Sequence, residues 1–150
     1  MTGNGSTPDA AGGRVDGDLE VVRRALSLIG ELRTDEALEL MSPDLVMELP
    51  FRHDGGPSRM EGTGARSFIG ALPAMFQRMD FSDIVVHGEL ATGWIVAEYR
   101  SHGLTRWGGS YPNVYASFVR VHDGLITHWR EYFDPVIVER AFEKPAPSAP

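Results

Sequence analysis
The chain has 150 residues, of which 42% are hydrophobic, and a formal charge of −7 at neutral pH. One domain of this size has enough apolar content for a buried core, and its acidic balance argues against nucleic acid or an anionic membrane as the main partner. The absence of cysteine excludes a disulfide framework, a thiolate nucleophile and a Cys-ligated metal.

Residues 1–17 are mostly Gly, Ser, Thr, Pro and Asp and are expected to be disordered. They lack the basic and apolar regions of a secretory signal, and no apolar run approaches the roughly 18 residues of a membrane span, so a soluble, cytoplasmic protein is expected. Leu19, Val22, Leu26 and Ile29 step by three and four, which predicts an amphipathic helix capped by Asp18 and weakened at Gly30. A second helix is predicted from Thr34, burying Ala37, Leu38 and Met41 and stopped by Ser42-Pro43.

Leu45–Phe51 reads as the first strand. Alternation puts Leu45, Met47, Leu49 and Phe51 on one face and extends that face to His53. Asp54-Gly55-Gly56-Pro57 breaks the chain, and Arg59–Gly62 is a short return strand. A third helix from Thr63 carries Phe68, Ile69, Leu72, Phe76 and Met79, and Pro73 kinks or splits it.

Strands follow at about 82–90, 94–101 and 107–121. The last of these is joined to 125–133 through His122-Asp123-Gly124. Asp-Gly between β-rich runs is a strong hairpin signal, because the tight turn needs positive φ. Asp134 suits a helix cap and Pro135 a first helical position, so 136–142 is a closing helix and 143–150 a disordered tail. This order predicts an α+β domain over residues 18–142, with about three N-terminal helices packed on one face of a curved antiparallel sheet. Such a sheet leaves a conical cavity lined by alternate strand residues, where a small ligand would sit.

Thr127, Trp129, Glu131 and Phe133 share one face of the last strand, which sets a carboxylate among aromatics. An apolar wall would raise the Glu131 pKa and suit it to proton transfer near neutral pH. His53 is its candidate partner, in keeping with imidazole chemistry near pH 7. Tyr99, Tyr111, Asn113 and Tyr115 offer phenol and amide groups to a polar ligand, while Leu49, Phe51, Ile69, Trp129 and Phe133 are candidate apolar contacts. His128 points away from Glu131, and no His-x-His or His-Glu-x-x-His spacing occurs, so no metal is expected.

The element order, the Glu61-Gly62 turn into the third helix, Asn113, Gly124 and the ending Trp129-Arg130-Glu131-Tyr132-Phe133-Asp134-Pro135 resemble the SnoaL-like branch of the nuclear transport factor 2-like superfamily. Within it, the nearest likeness is to phenazine-biosynthesis A/B-type proteins. The resemblance implies a cone-shaped α+β barrel, a homodimer, no metal or organic cofactor, and Glu131 as the pocket acid. The His and Ser on helix three of the phenazine-type proteins fall on Ile69 and Pro73, which argues against their amino-ketone condensation. The first-strand Asp of the ketosteroid isomerases falls on Leu49, which argues against steroid isomerisation.

These readings converge on a cofactor-independent acid/base enzyme of secondary metabolism. It would cyclise, condense, isomerise or dehydrate an apolar oxygenated or aromatic molecule, with Glu131 moving the proton, His53 assisting, and Asn113 or a Tyr polarising the substrate oxygen. The alternatives are a non-catalytic binder of a small ligand or partner subunit, and an epoxide hydrolase, which needs an Asp-Arg-Asp cluster.

Overall fold
The computed structural model describes residues 10–144. Its elements are α1 (Ala10–Gly30), α2 (Thr34–Glu39), β1 (Met41–Glu48), β2 (Arg59–Glu61), α3 (Thr63–Gly70), α4 (Leu72–Met75), β3 (Phe76–Arg78), β4 (Phe81–Glu89), β5 (Ile95–Ser101), β6 (Gly103–Thr105), β7 (Ser110–Tyr111), β8 (Val114–His122), β9 (Leu125–Phe133) and α5 (Pro135–Phe142). Six strands form one sheet in the order β2-β1-β9-β8-β5-β4, and β3-β6-β7 form a second, small one. The main sheet is antiparallel except between β1 and β9, which run parallel. That pair departs from the all-antiparallel expectation, because β1 reaches β9 from the far end of the chain rather than through a hairpin.

The α+β class and the helices packed on one face of a curved sheet hold. Register shifts in β4 between Ser82 and Val85 and between Val86 and Gly88 bend the strand; Asp83 and Gly88 take positive φ there, as bulges do. Helix α1 buries Val22, Ala25, Leu26 and Ile29 against the concave side. Gly30 permits the close approach of its last turn: a Cβ there would lie 2.9 Å from the Phe81 side chain.

Several boundaries differ from the sequence expectation. Residues 10–17 are the first turns of α1 rather than a disordered segment, and Asp18 is an interior residue that takes the Arg14 guanidinium at 2.9 Å instead of a cap. Residues 1–9 and 145–150 lie outside the described residues. Helix α2 ends at Glu39, and Ser42-Pro43 falls within β1, next to a register shift where a proline is tolerated. The third helix stops at Gly70; Pro73 sits in the first turn of α4, and Phe76 begins a strand. The expected strand 107–121 is divided. Gly108 turns with φ 85°, and Pro112, which has no N–H for a ladder, separates β7 from β8.

The hairpin and the closing helix form as the residues predict. Asp123 and Gly124 both take positive φ, at 49° and 76°, the requirement of a type I′ turn. Asp134 caps α5 by accepting from the Val136 N–H at 2.9 Å, with Pro135 at the first helical position.

Candidate active site
Between the concave sheet face, α1, α3–α4 and α5 lies a cavity of about 360 Å³. Met47 of β1, Leu49 just after it, and Trp129, Glu131 and Phe133 of β9 form one wall. Ile69, Leu72 and Met75 from α3 and α4 face them, and α5 covers one side with Val138 and Phe142. The lining is overwhelmingly apolar, and its charged groups divide by position. Arg52, His53, Asp54 and Glu139 line the opening, where His53, Asp54 and Glu139 are well exposed; Glu131 lies deep inside.

Glu131 is fixed by a directed chain of hydrogen bonds. The Trp129 indole N–H, a donor only, donates to Ser117 Oγ at 3.2 Å. Tyr99 donates to Glu131 Oε2 at 2.7 Å. Its single proton being spent there, the 2.7 Å bond between Tyr99 and Ser117 must run from the serine hydroxyl to the phenol oxygen. All three bonds therefore point toward the carboxylate and reinforce one another. Oε1 accepts from no described residue, and no fully buried side-chain oxygen or nitrogen lacks a partner, so Oε1 opens onto the cavity. Oε1 is thus the carboxyl oxygen left open to a ligand.

Burial pushes the Glu131 pKa from its ordinary 4.5 up to about 7, because the apolar wall penalises the charge. The Tyr99 hydrogen bond and, to a smaller extent, the nearby Trp129 indole pull the other way. A carboxyl at this value holds both protonation states near neutral pH, the condition for donating and accepting in one cycle. The lack of solvent, with a smaller contribution from the Glu131 charge, raises Tyr99 and Tyr115 well above the usual phenol range.

Of the residues singled out from the sequence, Glu131, Leu49, Ile69, Tyr115, Trp129, Phe133 and His53 line this cavity. Tyr99, 1% exposed, stands behind the wall, and its hydroxyl meets the cavity lining at Glu131. Phe51 is 53% exposed and packs edge-on against Tyr132 outside, 5.4 Å between centroids. The reason is local: β1 ends at Glu48, and the Leu49 N–H bonds to Ser58 O, so alternation no longer applies at Phe51 and His53. His53 sits at the opening and bonds Glu139 Oε1 at 3.0 Å, not Glu131.

Asn113 is a joint rather than a ligand contact. Its Nδ2 donates to the Tyr111 hydroxyl at 3.3 Å and to Asp134 O at 3.1 Å. Its Oδ1 accepts from the N–H groups of Val114 and Asp134. Every amide atom is committed, which locks the start of β8 to the head of α5.

Tyr111, also singled out from the sequence, lines the cavity as well, whereas Arg52 and Glu139 are cavity residues that sequence reasoning passed over. Arg52 donates to Asp54 Oδ1 at 2.7 Å and lies 5.3 Å from the Phe68 ring centroid. Its place in a glycine-rich loop gave no periodic signal. Among the described residues no group of three or more His, Asp or Glu side chains is arranged to hold a metal ion. Asp54 is the single aspartate in the lining, short of an Asp-Arg-Asp cluster.

Comparison with known proteins agrees with this architecture. The family model for the SnoaL-like domain matches residues 22–129; it stops two residues short of Glu131 and says nothing of that position. The uncharacterised protein YesE of Bacillus subtilis (strain 168) is 27% identical over 125 residues, covering 82% of this chain and 85% of that protein. An uncharacterised PhzA/B-like protein, PA3332 of Pseudomonas aeruginosa, is 28% identical over 102 residues, covering 65% and 70%. A crystal structure from Bacillus subtilis, of a protein provisionally called an isomerase, superposes with a TM-score of 0.77 at 26% identity, covering 85% of this chain and 93% of that one. With the family model spanning well over half its length, the chain belongs to the SnoaL-like domain family.

Proposed function
We propose that this protein is a cofactor-independent acid/base enzyme that isomerises or cyclises an apolar, oxygenated small molecule, with Glu131 as the proton-transferring residue. The observation that carries the reading is Glu131 itself: a half-buried carboxyl with one oxygen held by Tyr99 and the other open to an apolar cavity. The isomerase-like name of a structural relative supports the same class of chemistry. Condensation and dehydration need the same proton movements and stay within the proposal. Its biological setting would be secondary metabolism, as the PhzA/B-like relative suggests. His53 acts at the cavity opening, where its bond to Glu139 ties the loop after β1 to α5.

A two-fold homodimer through the convex sheet face is part of the same proposal. A positioned acid/base contributes about 10²–10⁴-fold, and the apolar walls supply orientation. The test is exchange of solvent deuterium into a panel of enolisable, apolar ketones. The wild-type protein should accelerate exchange, and Glu131→Gln should lose roughly 10²–10⁴-fold of that rate. Ketones that bind both proteins without exchange in either would make the cavity a binding site and remove the catalytic role.

A further inference from the structure
Two chains of hydrogen bonds run behind the inner end of the cavity, and the protons in each can be followed to where they end. In the first, Asn113 Nδ2 donates to the Tyr111 hydroxyl at 3.3 Å, and the Tyr111 and Tyr115 hydroxyls are hydrogen-bonded to each other. Tyr115 donates to Ser101 Oγ at 3.2 Å, and Ser101 donates to the Tyr111 carbonyl at 2.8 Å. Because Tyr115 has spent its proton on Ser101, Tyr111 supplies the proton between the two phenols. This chain closes on a backbone oxygen and leaves no phenol proton over.

The second chain is the one that reaches Glu131. Trp129 donates to Ser117, Ser117 to Tyr99, and Tyr99 to Glu131 Oε2. In the reversed chain a proton on Oε2 would go to Tyr99 and the Tyr99 proton to Ser117, which strands the serine proton. Ser117 is fully buried, with Trp129 and Tyr99 as partners and no third among the described residues. The indole N–H of Trp129 donates and cannot accept. Nor can Tyr99 turn to Tyr115, whose ring stacks on it at 4.7 Å between centroids, because that hydroxyl is committed to Ser101 and Tyr111.

We infer that Tyr99 is a positioning residue that confines the proton of neutral Glu131 to Oε1, the oxygen open to the cavity. A buried hydroxyl proton without an acceptor is costly enough to favour this arrangement over the reversed one by roughly 10- to 100-fold. The neutral acid therefore presents its proton to the cavity without rotation of the carboxyl. When the Oε1–H bond breaks and the proton passes to a ligand, the electron pair of that bond stays on the carboxylate. Part of the new charge appears on Oε2, where Tyr99 already donates. No group has to turn, so a fixed donor meets the charge as it forms. Tyr99 does this from behind the wall, without touching the ligand.

The inference rests on Glu131 being the acid of the proposed function, but the proton can be located with no ligand present. Infrared difference spectra of wild type minus Glu131→Gln at about pH 6, where exposed carboxyls are ionised, isolate the carbonyl band of the neutral Glu131 acid. With the proton on Oε1, the carbonyl oxygen is Oε2. Wild type should then show a single band at lower frequency than an acid carbonyl without a hydrogen bond. Tyr99→Phe should move the band to higher frequency and broaden it, as the proton spreads over both oxygens. Ser117→Ala should keep the single band, because Oε2 is then the acceptor left to Tyr99. A wild-type band at the unbonded position, two wild-type bands, or no neutral-acid band overturns the inference, and wild type decides this alone if Tyr99→Phe does not fold. A Tyr99→Phe band identical to that of wild type overturns it equally. The bonded band in a protein that exchanges no ketone proton would uphold the placement by Tyr99 and remove the catalytic reading instead.

Discussion
Glu131 illustrates how a single side chain acquires chemistry from its surroundings. On a solvated strand it would be an ordinary carboxylate. Here desolvation outweighs the Tyr99 hydrogen bond, and its pKa rises to about 7. The folded state therefore binds a proton that the unfolded chain, with a carboxyl near 4.5, has already released. The stability this proton confers is complete below about pH 4.5 and is lost as pH rises toward 7. The size of the rise corresponds to about 3 kcal/mol. Glu131→Gln keeps an acceptor for Tyr99 but never ionises. Urea denaturation of both proteins at about pH 5 and pH 8 should show the variant gaining about 2–3 kcal/mol on wild type at the higher pH. A difference that does not change with pH would mean that Glu131 is hydrated in the native state.

Among the elements, α5 closes one side of the cavity. It is attached through Asn113 at its head, through the Thr105 hydroxyl to Ala141 O at 3.1 Å, and through His53 to Glu139 at the cavity opening. Gly109 makes the closest approach: a Cβ there would collide with the Ala141 carbonyl oxygen. Gly109→Ala should cost about 1–3 kcal/mol by overpacking. It should also raise hydrogen exchange selectively over residues 135–142, and unchanged protection there would refute the docking role assigned to Gly109. This scale also shows what the residues announced in advance. The hairpin at Asp123-Gly124, the Asp134-Pro135 cap and the inward face of β9 depend on neighbours in sequence, and local patterns revealed them. His53 did not follow the pattern because β1 stops at Glu48, where Leu49 bonds Ser58 across the loop. Asn113 takes its joining place from contacts with Asp134, distant in sequence, which no periodicity encodes.

At the level of the whole molecule, the sheet has two unlike faces. The concave face builds the cavity; the convex face presents Val85 and Val114, which are 49% and 46% exposed, beside Phe118 and Tyr132. Its charges are largely neutralised within the chain: Glu48 takes Arg59, His128 and Arg130 at 2.9–3.1 Å, and Trp94 lies under Arg120 and Arg130. A broad face with paired charges suits burial against a second copy. Analytical ultracentrifugation should find a dimer, and Ala116→Arg, placed at the middle of that face, should shift it to monomer. A monomeric wild type would remove the dimer from the proposal and leave the cavity untouched.

The central claim is that Glu131 exchanges its proton near neutral pH inside the folded protein. A carbon-13 NMR titration of Glu-labelled protein tests it most directly, with the Glu131 carboxyl resonance assigned by its absence in Glu131→Gln. This one resonance should titrate with a midpoint near 7. A midpoint at the ordinary 4.5 would contradict it, because Glu131 would then be a solvated carboxylate with no proton to give at neutral pH.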